Sequence, residues 1–594
     1  MDLSFLAGLP PRSVVFWSGA GISRDAPTVG PLGAELIRRV LAGYFEPGTY
    51  EDLQDRYRRL QVVDAQARPR LETVLDTAVG TYGLDLLTDA LSDLAAASPN
   101  AHHVFFAEHL AVGGRHITAN FDTCIERDTS SQRLPATAEP VHFHGALDIH
   151  TSREDLEALG GRMSVIENGL PVAMQDQLDE VLAGEDVQAL VFVGYSGSDF
   201  FDAGPYLLQR GLRHLAGKVV AWLTWAPRAG PNRSGADSAV GYLPQARAAG
   251  AHVIELVGPL DELTRQLSRA WALPSGQLDA GAGRRPWQPD IEPTARQLGQ
   301  ATAALYARMG FRQRTVDVLT TKNQLTTAEH ELLADALWGT GQYRAAGRHW
   351  QQARAGDAPD AVARRTERMV GVCWIRGQLL RAERDGWAAI ERFVKPDSEV
   401  SAVAQLELLE TYARVLTHVA RLPDVRHRIK PYRKERAAEL LTSLAEPVRD
   451  QVGIQLRART ESAAKNLRPS VEPREHASPF AESEALHGWL NYTQGRLRDQ
   501  AEDALGRGQR YSVPVDDYLL LRRRFAELGA WGDVPRVALL PGAEQALTPF
   551  DLRHDLRRVD LTRWHRLRLV GGFLIRWLRS GHRRRTTAGP PLFT

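Results

Sequence analysis

Residues 13–23 read SVVFWSGAGIS, and this stretch decides the fold of the first part of the chain. Its apolar residues 14–17 predict a short buried strand, and Gly19 and Gly21 predict a tight turn after it. Residues 32–44 then predict a helix. A strand, a glycine-rich turn and a helix bring backbone N–H groups and a positive helix end together, which favours an anion, usually a dinucleotide pyrophosphate. An ordinary turn between a strand and a helix is the alternative.

Four more apolar runs predict strands in the first 270 residues: 116–119, 189–193, 219–224 and 252–256. Most are continuously apolar, as expected for parallel strands covered by helices on both faces. A helical stretch, roughly residues 51–112, separates the first two strands. We therefore predict an α/β fold with a doubly wound, mostly parallel Rossmann-like sheet, whose ligands bind at the carboxyl ends of the strands.

The rest of the chain predicts helices as far as about residue 581. Small and aromatic residues within 333–353 are spaced as in a tetratricopeptide unit, the pattern recurs loosely 36 residues on, and a degenerate version lies at 529–531. We expect an all-α tetratricopeptide-like helical domain, with a plain helical bundle as the alternative. A Pro-rich stretch at 468–479 predicts a loop.

Gly and Pro are frequent in GAGRRPWQPDIEP, residues 281–293, which predicts a linker. We therefore expect three segments along the chain: a catalytic domain at 1–275, a linker at 276–290 and a helical domain at 291–594.

Composition excludes several classes of protein. The 594 residues have a formal net charge of +1, so the whole chain is not an electrostatic nucleic-acid binder. Cys124 and Cys373 are its two cysteines, too few for a disulfide framework or a four-cysteine zinc module. Residues 1–12 contain no basic leader before an apolar core, and no run of about 18 apolar residues occurs. We expect a cytoplasmic protein with no signal peptide and no spanning helix.

Eleven arginines fall within residues 553–585, around the apolar segment 567–578. Such a stretch can face nucleic acid, an anionic membrane surface or an acidic partner. We favour an amphipathic helix packed on its neighbours with a solvated basic face. The sequence therefore gives no clear signal for a nucleic-acid or membrane partner.

Four polar motifs follow one another along the first part of the chain: GAGIS at 19–23, TANFD at 118–122, HFHG at 142–145 and GYSGSD at 194–199. Asn120 can hold a ribose hydroxyl or orient a water, and Asp122 can accept a hydrogen bond from a carboxamide. His144 titrates near neutrality and can move a proton. Gly194 and Ser196 can reach a phosphate or a ribose. Ordinary helix capping and turn formation are the alternatives for each motif.

This set resembles the sirtuin family, and PNAH at 99–102 with NFDTCIERD at 120–128 looks especially like bacterial defence-associated sirtuin domains. The resemblance spans roughly residues 1–270 and implies that NAD is bound in the sheet crevice and cleaved at its glycosidic bond to nicotinamide.

The resemblance also implies a role for each matching residue. The phosphate-binding turn consists of Gly19, Ala20, Gly21 and Ser23. Asn120 positions the ribose and a water, Asp122 belongs to the nicotinamide pocket, and His144 is the general base. Gly194 and Ser196 contact the cofactor.

The sequence departs from the deacetylase pattern at Ala119, where deacetylases have Gln, and in lacking their zinc cysteines, so we expect no zinc. His142 and His144 alternate and point to one face if residues 141–144 are extended. With no third ligand in view, we predict no metal there and assign His142 to the core or to the surroundings of the site.

The resemblance thus implies an NAD hydrolase that releases nicotinamide and ADP-ribose, regulated as an antiphage, abortive-infection effector. The helical domain would sense a phage protein or another activator, or it would form a homo-oligomer. Two alternatives remain open: an NAD-dependent protein deacylase or ADP-ribosyltransferase, and a non-catalytic sensor of an NAD-derived nucleotide.

Overall fold

The computed structural model describes most of the chain and leaves several segments out. The described residues are 3–59, 70–126, 139–165, 170–195, 197, 203–224, 243–273, 287, 289–353, 358–395, 398–420, 431–448, 515–531, 534–538, 540 and 543–579. The chain divides into two compact units, residues 1–54 with 63–301 (unit 1) and residues 55–62 with 302–594 (unit 2). The loop predicted at 468–479 and most of the linker predicted at 276–290 lie outside the described residues, so the predicted domain boundaries stay a prediction.

Unit 1 is built on a six-stranded, all-parallel sheet with strand order β3-β2-β1-β4-β5-β6. The strands are β1 (Val14–Ser18), β2 (Arg115–Thr118), β3 (Val141–His142), β4 (Ala189–Val193), β5 (Val219–Thr224) and β6 (His252–Val257). This is the order of doubly wound Rossmann-like sheets, which reverses between β1 and β4. The predicted α/β class with a mostly parallel sheet is confirmed. All five predicted strands are present, and the two-residue β3 is additional.

Twelve α-helices accompany these strands in the described residues up to 270: α1 (Ser4–Ala7), α2 (Gly33–Tyr44), α3 (Thr49–Arg59), α4 (Leu71–Tyr82), α5 (Asp85–Ala90), α6 (Ser92–Ala95), α7 (Ala101–Ala111), α8 (Arg153–Val165), α9 (Val172–Ala183), α10 (Ala203–Gln209), α11 (Leu243–Ala248) and α12 (Leu260–Ala270). The helix predicted at 32–44 is α2, and the described part of the helical stretch predicted at 51–112 contains five separate helices, α3 to α7.

Alternating side chains of β1 supply the core on both faces of the sheet. All five residues of β1 are buried, so it is a central strand. Phe16 faces the layer that contains α7, and its ring centroid lies 5.2 Å from that of Phe106. Trp17 points the other way, into the cluster that contains Leu182 of α9. Fully burying such a side chain contributes about 2–3 kcal/mol, which makes β1 the anchor of the unit.

The turns that follow β1 and β4 touch through glycine. The Gly21 N–H donates to the Gly194 carbonyl at 2.9 Å, and a Cβ on Gly21 would lie 2.6 Å from the Gly194 Cα. Gly194 has φ +58, and a Cβ there would lie 2.6 Å from the Ile22 nitrogen. Side chains do not fit at either position, so glycine is required where the strand order reverses.

Unit 2 is all helical in its described residues. After α13 (Ala295–Arg308), whose residues fall in both units, its helices are α14 (Arg312–Thr320), α15 (Thr327–Gly339), α16 (Tyr343–Gln352), α17 (Pro359–Ile375), α18 (Leu379–Phe393), α19 (Ala402–Ala420), α20 (Pro431–Val448), α21 (Val515–Glu527), α22 (Val534–Val537), α23 (Ala543–Ala546), α24 (Pro549–Leu556) and α25 (Arg563–Arg579). Among all the helices that the structure describes, none combines the length and apolar character needed to cross a membrane.

Two helical hairpins of unit 2 have the same helix-ending turn. Gly341 and Gly377 have φ near +80°, and each lies between two paired helices. After each glycine the next amide bonds back to a carbonyl five residues earlier: Gln342 to Leu337 and Gln378 to Cys373. This is the Schellman arrangement that ends a helix at glycine. The loose 36-residue recurrence in the sequence therefore corresponds to a repeated helix end.

We predict that Gly21→Ala destabilises unit 1 by about 1–3 kcal/mol, because its Cβ would collide with backbone atoms that no rotamer change can move. Gly33→Ala is the matched control, since nothing lies within 4 Å of its Cβ at the start of α2, and its effect should stay within about 1 kcal/mol. Urea unfolding of both variants measures the difference. Equal midpoints for the two variants would contradict the close contact.

Candidate functional site

The hydroxyl of Ser23 is the centre of a buried polar cluster beyond the carboxyl ends of β1 and β2. Ser23 Oγ donates to Asp122 Oδ2 at 2.9 Å and accepts from Asn120 Nδ2 at 3.0 Å. The Nε2 of His103 lies 3.1 Å from the same oxygen. All four side chains are buried. The structure thus brings three predicted site residues together around one oxygen.

The start of α7 fixes the hydrogen-bonding state of His103. Asn100 caps this helix, and its Oδ1 accepts from the amides of His102 and His103. The backbone N–H of Asn100 in turn donates to His103 Nδ1 at 3.0 Å. The neutral ring therefore carries its hydrogen on Nε2 and donates it to Ser23 Oγ. Burial lowers the pKa of His103 to about 4, although the charge of Asp122 acts in the opposite direction. The lowered pKa keeps the ring neutral.

Asn100 also joins α7 to the turn that follows β1. Its Nδ2 donates to the carbonyls of Ile22 and Asp25. The residue is completely buried. One side chain therefore caps a helix and holds the segment that carries Ser23, so the position of the cluster is set by the fold itself.

Asn120 is held at its backbone as well as at its side chain. Its N–H donates to Thr118 Oγ1 at 3.1 Å, and Thr118 Oγ1 also accepts from Ser18 Oγ at 2.9 Å. Its carbonyl accepts from His142 Nδ1 at 2.8 Å. With its Nδ2 on Ser23, the residue is fixed at three points. Such preorganisation is what a side chain needs to orient a substrate or a water.

His142 lies beneath Asn120 and bridges two acceptors. Its Nδ1 faces the Asn120 carbonyl, and its Nε2 lies 2.7 Å from Glu126 Oε1. Burial lowers the pKa of His142, but the hydrogen bond and charge of Glu126, with the Asn120 carbonyl, outweigh it and raise the pKa overall. His142 therefore holds the backbone of Asn120 through its carbonyl.

His144 contacts a different set of side chains. Its Nδ1 lies 3.6 Å from Glu72 Oε1 on α4, and its ring packs at 65° to the ring of Phe143, with centroids 4.3 Å apart. Both His144 and Glu72 are buried. A parallel bridge between Asp122 and Leu147 aligns the segment after β2 with the segment after β3. The loops that carry Asn120 and His144 are therefore neighbours.

The glycine turns use their amides within the protein. Gly19 N–H donates to the Val193 carbonyl at 3.2 Å, and Gly21 N–H donates to Gly194. The segment from Ala20 to Ser23 forms a short 3-10 helix, and α2 begins only at Gly33. Ser196 lies outside the described residues, so its predicted role stays a prediction.

One group of donor atoms in the described residues has the spacing of a metal site. His103, Asp122 and Cys124 offer atoms within 4.8 Å of one another. Hydrogen bonds already engage each of them: His103 and Asp122 bind Ser23, and Cys124 Sγ lies 3.5 Å from the Ala97 carbonyl. We therefore interpret these three side chains as part of the hydrogen-bonded network around Ser23 and not as metal ligands.

Sequence reasoning missed His103 and Glu72. His103 directly follows the PNAH stretch but is 80 residues from Ser23 along the chain, and Glu72 lies on α4, away from the motifs. One local signal for His103 exists, the Asn-x-x-His spacing from Asn100, which forms a capping box at the start of an apolar helix. Glu72 follows an undescribed segment and has no such signal.

Comparisons of the chain with models of known protein families and with curated proteins find no match.

The lowered pKa of His103 predicts a pH dependence of stability. The pKa of His103 is about 4 in the folded protein and about 6.5 in the unfolded chain, so unfolding takes up a proton between these two pH values. The stability that the neutral ring contributes is therefore fully present only above about pH 6.5. This contribution is lost as the pH falls from about 6.5 to about 4, at about 1.4 kcal/mol per pH unit. His103→Gln removes it, and the slope of unfolding free energy against pH should decrease by that amount.

Urea unfolding between pH 4.5 and 6.5 measures this slope, and the control is His252→Gln, at an exposed residue of β6. An unchanged slope in His103→Gln would contradict the buried, neutral His103.

Proposed function

We propose that the protein hydrolyses NAD to nicotinamide and ADP-ribose at the cluster around Ser23. The observation that carries the proposal is the convergence of Ser23, Asn120 and Asp122 on one hydrogen-bonded centre, beside the glycine contact where the strand order reverses. In doubly wound sheets this crevice is where dinucleotides bind. The choice of NAD rests on the resemblance of the four motifs to the sirtuin family.

In the proposed reaction the glycosidic bond between nicotinamide and the ribose C1′ breaks, and water supplies the oxygen that replaces the base. The balance is NAD⁺ and water to nicotinamide, ADP-ribose and a proton. The fixed amide of Asn120 would hold a ribose hydroxyl and orient the water, and Asp122 would accept a hydrogen bond from the nicotinamide carboxamide. His144 would take the proton.

Glu72 would act on this reaction through His144. A carboxylate beside a histidine ring orients the ring and stabilises its protonated form once the proton has been taken up. The separation of 3.6 Å between Glu72 Oε1 and His144 Nδ1 supports such a pair, and burial keeps water from weakening it. We assign Glu72 as a positioning residue.

The burial of Asn120 and His144 supports a regulated enzyme. Asn120 is 7% exposed and His144 3% exposed, so NAD reaches them only after a local rearrangement. We infer that the tetratricopeptide-like hairpins of unit 2 sense an activator, such as a phage protein, or form a homo-oligomer, and that this raises the fraction of molecules with an open site above its basal level in an abortive-infection response. Without an activator the open fraction is small, and the protein binds and cleaves NAD at a low basal rate. The repeated glycine helix ends support the repeat.

Release of nicotinamide from NAD by the full-length protein tests the proposal. We expect release by the parent and a loss of at least about a hundredfold in Asn120→Ala and in His144→Ala, since each removes a group from the reacting centre. The control is His252→Ala, an exposed histidine of β6. Release that persists in both site variants would refute the site.

The same assay separates the alternatives. ADP-ribose attached to a protein, or deacylation of an acylated peptide, would identify a transferase. Saturable NAD binding without release, even with an activating lysate, would identify a sensor.

We predict that Glu72→Gln lowers kcat for nicotinamide release about tenfold and leaves KM within about twofold, because the orientation of His144 affects the chemical step and not NAD binding. Steady-state kinetics of the full-length variant measure the split. The matched control is Glu154→Gln, an exposed residue in the first turn of α8. A rise in KM with unchanged kcat would show that Glu72 acts on NAD binding.

A further inference from the structure

The last described helix, α25, presents an apolar stripe to solvent. Leu567, Leu574, Ile575 and Leu578 are 60%, 39%, 52% and 63% exposed. With 100° per residue they fall within an arc of about 100°, together with Gly571, whose Cβ would meet nothing within 4 Å. The stripe is about 16 Å long. The sequence predicts an amphipathic helix packed on its neighbours with a solvated basic face, and in the structure the solvent-exposed side carries these apolar side chains as well.

The opposite side of α25 packs on its own unit. Phe573 is 1% exposed, and Arg566 and Arg576 donate to the carbonyls of Val559 and Ala538. The helix is therefore held by one face, and the stripe is not a consequence of an undocked helix.

Arginines border the stripe on both sides. On the same helical projection Arg563 and Arg568 lie about 20° beyond its two edges, and both are exposed. Residues 561–594 contain eight arginines and no aspartate or glutamate. The two nearest preceding acids are engaged elsewhere, Asp555 with Arg522 and Asp560 with Arg344. The sequence around the stripe therefore carries a local excess of positive charge.

We propose that α25 binds an anionic lipid bilayer surface, lying in its plane with the stripe inserted among the acyl chains. Exposed aliphatic side chains bordered by arginine suit the boundary between acyl chains and negative headgroups. Nucleic acid offers phosphates and no apolar layer for four large aliphatic side chains. A second copy of the helix would place arginine against arginine.

Flotation of the full-length protein with lipid vesicles tests this surface. The probes are vesicles of phosphatidylcholine alone and vesicles with about 30 mol% phosphatidylglycerol. We expect flotation with the anionic vesicles only, weakened in about 0.5 M NaCl, where charges are screened. The Leu574→Ser, Ile575→Ser double variant should lose at least about tenfold in vesicle affinity.

The matched control is the Leu380→Ser, Leu519→Ser double variant, which changes two leucines that are each 41% exposed on other helices of unit 2. It should float like the parent, and thermal unfolding should show both double variants folded. A charge-reversed Arg563→Glu, Arg568→Glu variant should stay unbound, whereas Arg→Lys at both positions should bind.

Failure to float with anionic vesicles would overturn the proposal, as would equal flotation of the two leucine-to-serine variants. A dimer that Leu574→Ser, Ile575→Ser dissociates, or retention on an acidic protein without retention on lipid, would reassign the stripe as a protein interface.

Discussion

The backbones of Gly21 and Gly194 touch where the strand order reverses, and the rest of unit 1 depends on that contact. The Gly21 N–H donates a hydrogen bond of 2.9 Å to the Gly194 carbonyl, which holds the end of β1 beside the end of β4. Neither glycine has space for a side chain. The chain must therefore leave β1 in the narrow turn that carries Ser23 toward the end of β2. From there the Ser23 hydroxyl meets Asn120 and Asp122. The close contact of the two glycines thus determines where the buried polar site forms.

Burial gives this cluster its character. A hydroxyl, an amide, a carboxylate and an imidazole remain inside the protein only because each is matched by hydrogen bonds, and the cost of a missing partner keeps the arrangement unique. The pKa values of two histidines here, His103 and His142, shift in opposite directions. Burial lowers the pKa of His103, whereas Glu126 raises that of His142 against the effect of burial. One ring thus donates to Ser23 as a neutral group, and the other holds the Asn120 backbone beside a carboxylate.

Local patterns in the sequence predicted the strands and the motifs, and missed contacts between distant segments. Continuous apolar runs gave β4 and β5 at their observed bounds, because both faces of those strands are covered. The two-residue β3 was missed, since it is too short to show a period. The turn motif predicted Ser23, but its partner His103 comes from α7, and no local pattern pairs residues 80 positions apart. The exposed apolar stripe of α25 could not be predicted either, because composition does not tell which face of a helix packs against the protein.

Hydrogen–deuterium exchange of the full-length Asn120→Ala protein, with and without NAD, tests the central claim most directly, because this variant should bind the dinucleotide without consuming it. If NAD binds in the crevice at the strand-order reversal, exchange slows in peptides covering residues 19–24 and 193–195, whose amides line the two glycine turns. Unchanged exchange in both peptides at saturating NAD, or protection confined to unit 2, would contradict the account and move the ligand site elsewhere in the chain.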